Sequence, residues 1–153
     1  MGREIERKFL VRGENWKLGA TGTAMRQGYL STDPERVVRV RVEGDSAALT
    51  IKGKSIGAVR GEWEYAIPKA DAEELLALCA RPLIEKRRYR IEHAGMLWEV
   101  DEFDGDNAGL IVAEIELQAE DQQFDKPQWV AQEVTQDARY YNSNLLRHPY
   151  KDW

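Results

Sequence analysis

The chain has 153 residues, of which 42% are hydrophobic and 32% are charged, and its formal net charge is -5. This length fits one domain spanning residues 1–153, and the acidic balance disfavours binding to nucleic acid or to an anionic membrane surface. Cys79 is the single cysteine, and His93 and His148 are the two histidines, so neither an internal disulfide nor a zinc centre is expected. The opening residues are charged and no apolar run approaches the roughly 20 residues that span a bilayer, which predicts a cytoplasmic protein.

The opening segment predicts a strand with one charged face. Glu4, Glu6 and Lys8 are each separated by one residue. Because side chains of an extended chain alternate between two faces, these charges share a face, while Ile5 and Phe9 point the other way. The same spacing recurs along nearly the whole chain, in segments too rich in Val, Ile, Tyr and Trp to be loops.

The remaining elements follow in chain order. Strands are predicted at Met25 to Leu30, Arg36 to Glu43, Ala48 to Lys52 and Arg60 to Ile67. One helix follows Pro68, with Asp71 as its expected cap, an apolar stripe, and an end before Pro82; the stripe comprises Leu75, Leu76, Leu78 and Cys79. Three more strands are predicted at Leu83 to Ile91, Met96 to Phe103 and Leu110 to Gln118, and a short helix at Gln136 to His148.

The charges on these strands are sorted by sign. Glu4 and Glu6, Arg39 and Arg41, Lys86 and Arg88, and Glu114 and Glu116 each form a like-charge pair two residues apart. A plain β-sandwich with its charged face in water is one explanation, but a solvated sheet favours mixed signs on one face. The sorting favours a mainly β fold, a closed eight-stranded antiparallel β-barrel or tunnel with a few helices packed on its outside and the charges inside.

Charges inside a barrel need partners, because an unpaired buried charge costs several kcal/mol. Rows of carboxylates without Cys or His suit Mg²⁺ or Mn²⁺ better than zinc. Rows of Arg and Lys suit phosphate groups. The sequence therefore predicts a small polyanionic substrate and a divalent cation.

With these residues in place, the chain closely resembles the CYTH superfamily of triphosphate tunnel metalloenzymes, in particular its small bacterial inorganic triphosphatases. The resemblance extends nearly end to end and is carried by an ordered series of motifs: Glu4-x-Glu6-x-Lys8, Arg39-Val-Arg41, Thr50-Ile-Lys52, Glu62-Trp-Glu64, Glu85-Lys-Arg-Arg-Tyr89, Glu99-Val-Asp101, Ala113-Glu-Ile-Glu-Leu117 and Val134-Thr-Gln-Asp-Ala-Arg-Tyr140. It departs at Tyr141, where similar sequences often carry a lysine.

The resemblance implies metal-dependent hydrolysis of triphosphate to diphosphate and phosphate. The implied metal ligands are Glu4, Glu6, Asp101, Glu114 and Glu116, with Glu62, Glu64 and Glu99 behind the metal or holding water. The implied phosphate ligands are Lys8, Arg39, Arg41, Lys52, Lys86, Arg88 and Arg139. Catalysis is assigned to Lys52, Arg39, Arg41, Glu62 and Glu64, which would hold the reacting phosphorus and the attacking water.

Two alternatives stay open on the sequence. The same scaffold could process an organic triphosphate, as a class IV adenylate cyclase, a thiamine triphosphatase or a nucleoside triphosphatase does, although no stretch identifies a pocket for an organic group. The second alternative is a non-catalytic polyphosphate-binding module. A monomer or a homodimer is expected in either case.

Overall fold

A computed structural model describes residues 2–153 of the chain. Nine β-strands, two short α-helices and four 3-10 turns of three residues account for the regular structure of this part. The strands are β1 (Arg3–Val11), β2 (Gly22–Ser31), β3 (Val37–Glu43), β4 (Ser46–Lys52), β5 (Val59–Ala66), β6 (Ile84–His93), β7 (Met96–Phe103), β8 (Ile111–Glu116) and β9 (Val130–Glu133). The helices are α1 (Lys69–Leu78) and α2 (Asn142–Leu145).

Eight of the strands close into an antiparallel barrel, which confirms the predicted architecture. The sheet runs in the order β5-β4-β3-β2-β6-β7-β8-β1, and β1 then pairs with β5 to complete the ring. The opening strand makes this closure possible because its two halves have different neighbours. Residues Arg3, Glu4 and Ile5 pair with β5, whereas Glu6 to Leu10 pair with β8.

The ninth strand lies outside the predicted elements. β9 pairs with the end of β1 past the point where β5 stops, with Phe9 opposite Glu133 and Val11 opposite Val130. It has only four residues and follows Pro127, so it offers little alternation from which a strand could be predicted.

The outside of the barrel is apolar where other segments cover it. Phe9 and Trp98 are fully buried, with ring centroids 5.6 Å apart, and Phe124 and Trp129 from the chain after β8 pack against Trp98. Through this aromatic cluster, the chain after β8 packs on the outer face of β1 and β7.

Helix α1 covers the outer face of β3. Leu76 and Cys79 pack against Val40 and Val42 in one buried cluster, as the apolar stripe predicts, but Leu78 is exposed. Asp71 is not the cap: Pro68 holds that position, and Asp71 lies in the first turn, where its charge is favourable. Neither α-helix within residues 2–153 combines the length and apolarity that a membrane-spanning helix requires.

The C-terminal segment closes one end of the barrel. The predicted helix from Gln136 to His148 is interrupted, because Tyr141 is extended between the 3-10 turn Ala138–Tyr140 and α2. Leu145 and Leu146 pack onto inward-facing apolar side chains at that end of the strands, namely Tyr29, Val37, Phe103 and Val112. The barrel interior is therefore apolar at this end and charged elsewhere.

Candidate functional site: the charged interior of the barrel

The inward face of the barrel surrounds a cavity of about 260 Å³. Charged side chains from seven strands line it, as the two-residue spacing predicts. The acids are Glu4, Glu6, Glu62, Glu64, Glu99, Glu114 and Glu116, and the cations are Lys8, Arg39, Arg41, Lys52, Arg60, Lys86, Arg88 and Arg90. A β-sandwich with charges outside is thereby excluded.

Lys8 bridges the first and last acidic rows. The pairing of β1 with β8 places it opposite Glu114, and its Nζ lies 3.1 Å from Glu6 Oε1 and 3.0 Å from Glu114 Oε2. Burial, with the neighbouring charge of Glu114, raises the pKa of Glu6 to about 8. Burial would raise the pKa of Glu114, but Lys8, a hydrogen bond with Glu6 and the charges of Arg88 and Lys86 together hold it well below its usual range. One proton and one ammonium group thus stabilise this carboxylate pair.

A second ammonium group lies where the barrel closes. Lys52 Nζ is 2.9 Å from Glu4 Oε1 and 3.3 Å from Glu62 Oε2, and so connects β4 with β1 and β5. Burial raises the pKa of Glu4 despite this lysine. Burial and the nearby charge of Glu4 also raise the pKa of Glu116. The raised pKa values of these carboxyl groups show that burial and the neighbouring acids together outweigh the attraction of Lys52.

Asp101 is paired with cations behind the cavity surface. It is fully buried and does not line the cavity. Arg88 donates to both of its oxygens, at 2.7 and 2.9 Å, and Lys86 Nζ lies 2.8 Å from Oδ2. Burial alone would raise the pKa of Asp101, but Lys86 and Arg88 lower it to about 2. The carboxylate therefore already has the positive partners that burial demands.

Two arginines on β3 face the cavity without an anionic partner. Arg39 Nη2 donates to Thr50 Oγ1 at 3.2 Å, and its buried Nε has no partner. Arg41 forms no ion pair within residues 2–153. Burial and then Arg39 and Arg88 lower the pKa of Arg41 to about 10. An anion entering the cavity would relieve this repulsion.

The carboxylates suit a hard divalent cation by donor type, since all are oxygen donors and no Cys or His lines the cavity. Within residues 2–153, however, no three acids are gathered closely enough to hold a metal ion. Lys8 lies between Glu6 and Glu114, and Lys52 lies between Glu4 and Glu62. The two ammonium groups therefore compete with a metal ion for one oxygen of each of these carboxylates.

Arg139 is the one predicted phosphate ligand whose side chain lies away from the cavity. Its guanidinium pairs with Asp137 at 2.7 Å and stacks on Tyr140 and Trp153, and it is more than half exposed. The extended backbone at Tyr141 separates the turn that carries Arg139 from α2.

Tyr141, where the chain departs from similar sequences, also lines the cavity. So do several uncharged side chains that the sequence analysis does not single out, namely Tyr29, Thr135, Asn142 and Ser143. Tyr29 could have been found from its alternation with Gln27 on β2. Asn142 carries no such signal, because its position depends on how the C-terminal segment folds back over the barrel end.

The barrel is closed and antiparallel, and its single charged cavity holds both acids and arginines that lack an anionic partner. These features define a class of protein that binds a small polyanion together with cations. The family model of the CYTH domain matches residues 2–150. The chain belongs to the CYTH domain family, as the motif series predicts.

Relatives with assigned names are similar over almost their whole length. The chain is 52% identical to an inorganic triphosphatase of Acetivibrio thermocellus, covering 100% of this chain and 99% of the relative. It is 37% identical to an inorganic triphosphatase of Nitrosomonas europaea, covering 93% and 95%. The solved structure of the inorganic triphosphatase NE1496 superimposes with a TM-score of 0.63 at 35% identity, covering 93% of this chain and 96% of that chain.

Proposed function

We infer that the chain hydrolyses inorganic triphosphate to diphosphate and phosphate inside its barrel, with a divalent cation as cofactor. The observation that carries this inference is the position of Arg39, which is buried, and Arg41, which is partly buried, without anionic partners in a cavity that also holds a set of carboxylates. The names of the two relatives agree with it.

The arginine side of the cavity binds the phosphate chain. Arg39, Arg41 and Arg88 present N–H groups that suit phosphate oxygens. Hydrolysis of a phosphoanhydride requires little covalent chemistry from the protein, because the barrier is lowered mainly by alignment and by compensation of charge. These cations stabilise the negative charge that grows on the diphosphate as water attacks the phosphorus and the bridging P–O bond breaks.

The carboxylate side would hold the metal, with Glu4, Glu6, Glu114 and Glu116 as its ligands and Mg²⁺ or Mn²⁺ as the candidate ions. Such an ion neutralises phosphate oxygens and lowers the pKa of a bound water. Lys8 and Lys52, once displaced from these carboxylates, can reach phosphate oxygens instead. Glu62 and Glu64 are proposed to hold and orient the attacking water, with Glu99 supporting them from β7.

Asp101 and Arg139 receive different roles from those that the resemblance implies. Asp101 holds Arg88 and Lys86 in place through its buried ion pairs. Arg139 stabilises the C-terminal turn through Asp137. In this arrangement neither side chain touches the substrate.

The test compares Glu4→Gln and Glu114→Gln with the wild type by phosphate release from triphosphate in Mg²⁺, Mn²⁺ or chelator. Both variants should lose metal-dependent turnover by about a hundredfold or more, because each removes a charged ligand. Glu102→Gln is the matched control, since Glu102 pairs with Lys17 on the outer face. Near-normal rates of either variant in saturating Mg²⁺ would show that the metal ligands are wrongly assigned.

Diphosphate, ATP and thiamine triphosphate serve as comparison substrates in the same assay. Triphosphate should be the preferred substrate, because the cavity lining is almost entirely charged and polar. Conversion of ATP to cyclic AMP and diphosphate as the main activity would replace the proposed function with that of a cyclase.

A further inference from the structure

An ion pair lies at the end of the cavity that is opposite the C-terminal segment. Arg90 on β6 donates two hydrogen bonds to the carboxylate of Glu43 on β3, at 2.7 and 3.1 Å. Its Nε also donates to Glu99 on β7, at 3.3 Å. Arg90 and Glu99 line the cavity, and 42% of the Arg90 side chain is exposed. The pair of Glu43 and Arg90 therefore lies where the cavity meets the solvent.

Alternation along two strands explains this position. The inward positions are Val37, Arg39, Arg41 and Glu43 on β3, and Ile84, Lys86, Arg88 and Arg90 on β6. Val37 and Ile84 belong to the apolar cluster that closes one end of the barrel. Both rows then become cationic, and the row on β3 changes sign at its last residue, Glu43. The cationic lining is thus bounded by apolar side chains at one end and by this ion pair at the other.

The pair reaches across the rim of the barrel. In the sheet β2 lies between β3 and β6, but β2 begins at Gly22, opposite Tyr89. Arg90 is therefore just past the first residue of β2 and can extend toward Glu43 there. The pair joins two strands that are two inter-strand spacings apart, about 9.6 Å.

Glu43 is also close to the cationic lining itself. A pocket of about 400 Å³ beside the cavity is lined by Glu43 together with Arg41 and Glu64, both of which line the cavity as well. The hydrogen bonds from Arg90 lower the pKa of Glu43 most, partial burial opposes them, and the charges of Arg90, Arg41 and Arg88 lower it further. Glu43 is therefore a carboxylate at neutral pH.

This arrangement limits the space for a bound anionic chain. Arg39 and Arg41, which lack an anionic partner within residues 2–153, are separated by one step of alternation, about 6.7 Å of strand. So short a stretch suits a chain of few phosphoryl groups. A longer chain cannot extend into the apolar end, so its additional groups must extend past Arg41 toward Glu43. There they meet a carboxylate, and the cation beside it, Arg90, is already paired.

We propose that Glu43 limits the length of the polyphosphate that the cavity accepts, by repelling a phosphoryl group beyond the third and by holding Arg90 away from it. The proposal rests on the proposed function for the class of its substrate. Glu43 is a specificity-determining residue and takes no part in bond cleavage. Without its charge, Arg90 can donate to the additional phosphoryl group.

The experiment compares kcat/KM for triphosphate and for inorganic tetraphosphate in saturating Mg²⁺. Glu43→Gln keeps the size of the side chain and removes its charge. It should raise the ratio of kcat/KM for tetraphosphate to that for triphosphate by about tenfold and change the value for triphosphate by less than about threefold. Arg90→Gln leaves the carboxylate of Glu43 without its partner, so the same ratio should fall by about threefold or more.

Glu73→Gln is the matched control, because Glu73 pairs with Arg26 on the outside of the barrel and Arg26 is about as exposed as Arg90. Its ratio should equal that of the wild type. Thermal midpoints without ligand identify a folding defect. A purely structural ion pair is lost in either variant, so it predicts shifts in the same direction for Glu43→Gln and Arg90→Gln, and that result would overturn the length limit. The gain in Glu43→Gln should shrink at high ionic strength, because salt screens partly exposed charges.

Calorimetric titration of triphosphate and tetraphosphate in chelator separates this proposal from the proposed function, since it requires no turnover. A wild-type protein that does not hydrolyse triphosphate would refute the proposed function, while the ratio of the two affinities in Glu43→Gln still decides the length limit. Hydrolysis of triphosphate by the wild type, with unchanged ratios in Glu43→Gln, would refute the length limit and leave the function standing.

Discussion

Replacing Asp101 by Asn separates a structural role from a metal-binding one. The substitution keeps the shape of the side chain and removes the charge that pairs with Arg88 and Lys86. The folded protein lowers the pKa of Asp101 from 3.8 to about 2, which corresponds to about 2 kcal/mol of stability at neutral pH. Leaving two buried cations without their partner raises the expected loss to about 3–5 kcal/mol.

For a chain of this length that loss lowers the thermal midpoint by roughly 6 to 20 °C. It is measured by thermal and urea unfolding at pH 7 in chelator, so that no metal contributes. Because the folded pKa is depressed, the contribution of Asp101 is present above about pH 4 and is lost as the pH falls toward about 2. The difference between wild type and variant should shrink over the same interval.

Asp106→Asn is the matched control, because Asp106 pairs with Lys151 on the surface and its loss should cost less than about 1 kcal/mol. The reasoning fails if Asp101→Asn is as stable as the wild type in chelator but needs a higher Mg²⁺ concentration for activity. That result would make Asp101 a metal ligand, as the family resemblance implies.

The remaining predictions concern the two sides of the cavity. Burial and the charge of Glu114 raise the pKa of Glu6 to about 8, so below that pH a metal ion must displace a proton from this carboxyl group. The Mg²⁺ concentration for half-maximal activity should therefore rise about tenfold for each pH unit below 8. Magnesium titrations between pH 6 and 9 measure this, and a pH-independent value would contradict it. Arg41→Gln should stabilise the ligand-free protein by about 1–3 kcal/mol, since burial and Arg39 lower the pKa of Arg41 to about 10. The same substitution should weaken triphosphate binding by about tenfold or more, because it removes a charged hydrogen-bond donor. Unfolding experiments measure the stability and calorimetric titration measures the binding, with Arg36→Gln at an exposed position as the control. A destabilised Arg41→Gln variant would show that neighbouring negative charges already neutralise Arg41.

The predicted barrel and its charged interior follow from alternation, which is a local property of the chain. Once β1 is a strand, Glu4 and Lys8 must share a face, and neighbouring strands extend that face. The closing pairs of β1 with β5 are not local, but a barrel is the arrangement that lets sign-sorted charges find partners on other strands, such as Lys52 with Glu4.

The errors share a different origin. Asp71 was expected to cap α1, but the chain geometry at Pro68 starts that helix three residues earlier in the sequence. The predicted C-terminal helix and the missed β9 both lie where the chain is held by contacts with the barrel rather than by its own periodicity. The metal-ligand role of Asp101 is not among these errors and stays a prediction; the side chain shares its face with Glu99 but is buried beside two cations, unlike the cavity-lining acids.

Sequence alone thus determined the family, the closed barrel and the inward direction of its charges, because the alternation of charged and apolar residues can be observed directly in the order of the amino acids. Tertiary structure decided which charges neutralise one another and which remain available for a ligand, since that depends on distances between strands far apart in the chain. It also decided where the cavity ends, because the position of Asn142 beside Lys86 and Gln27 arises only when the C-terminal segment folds over the barrel.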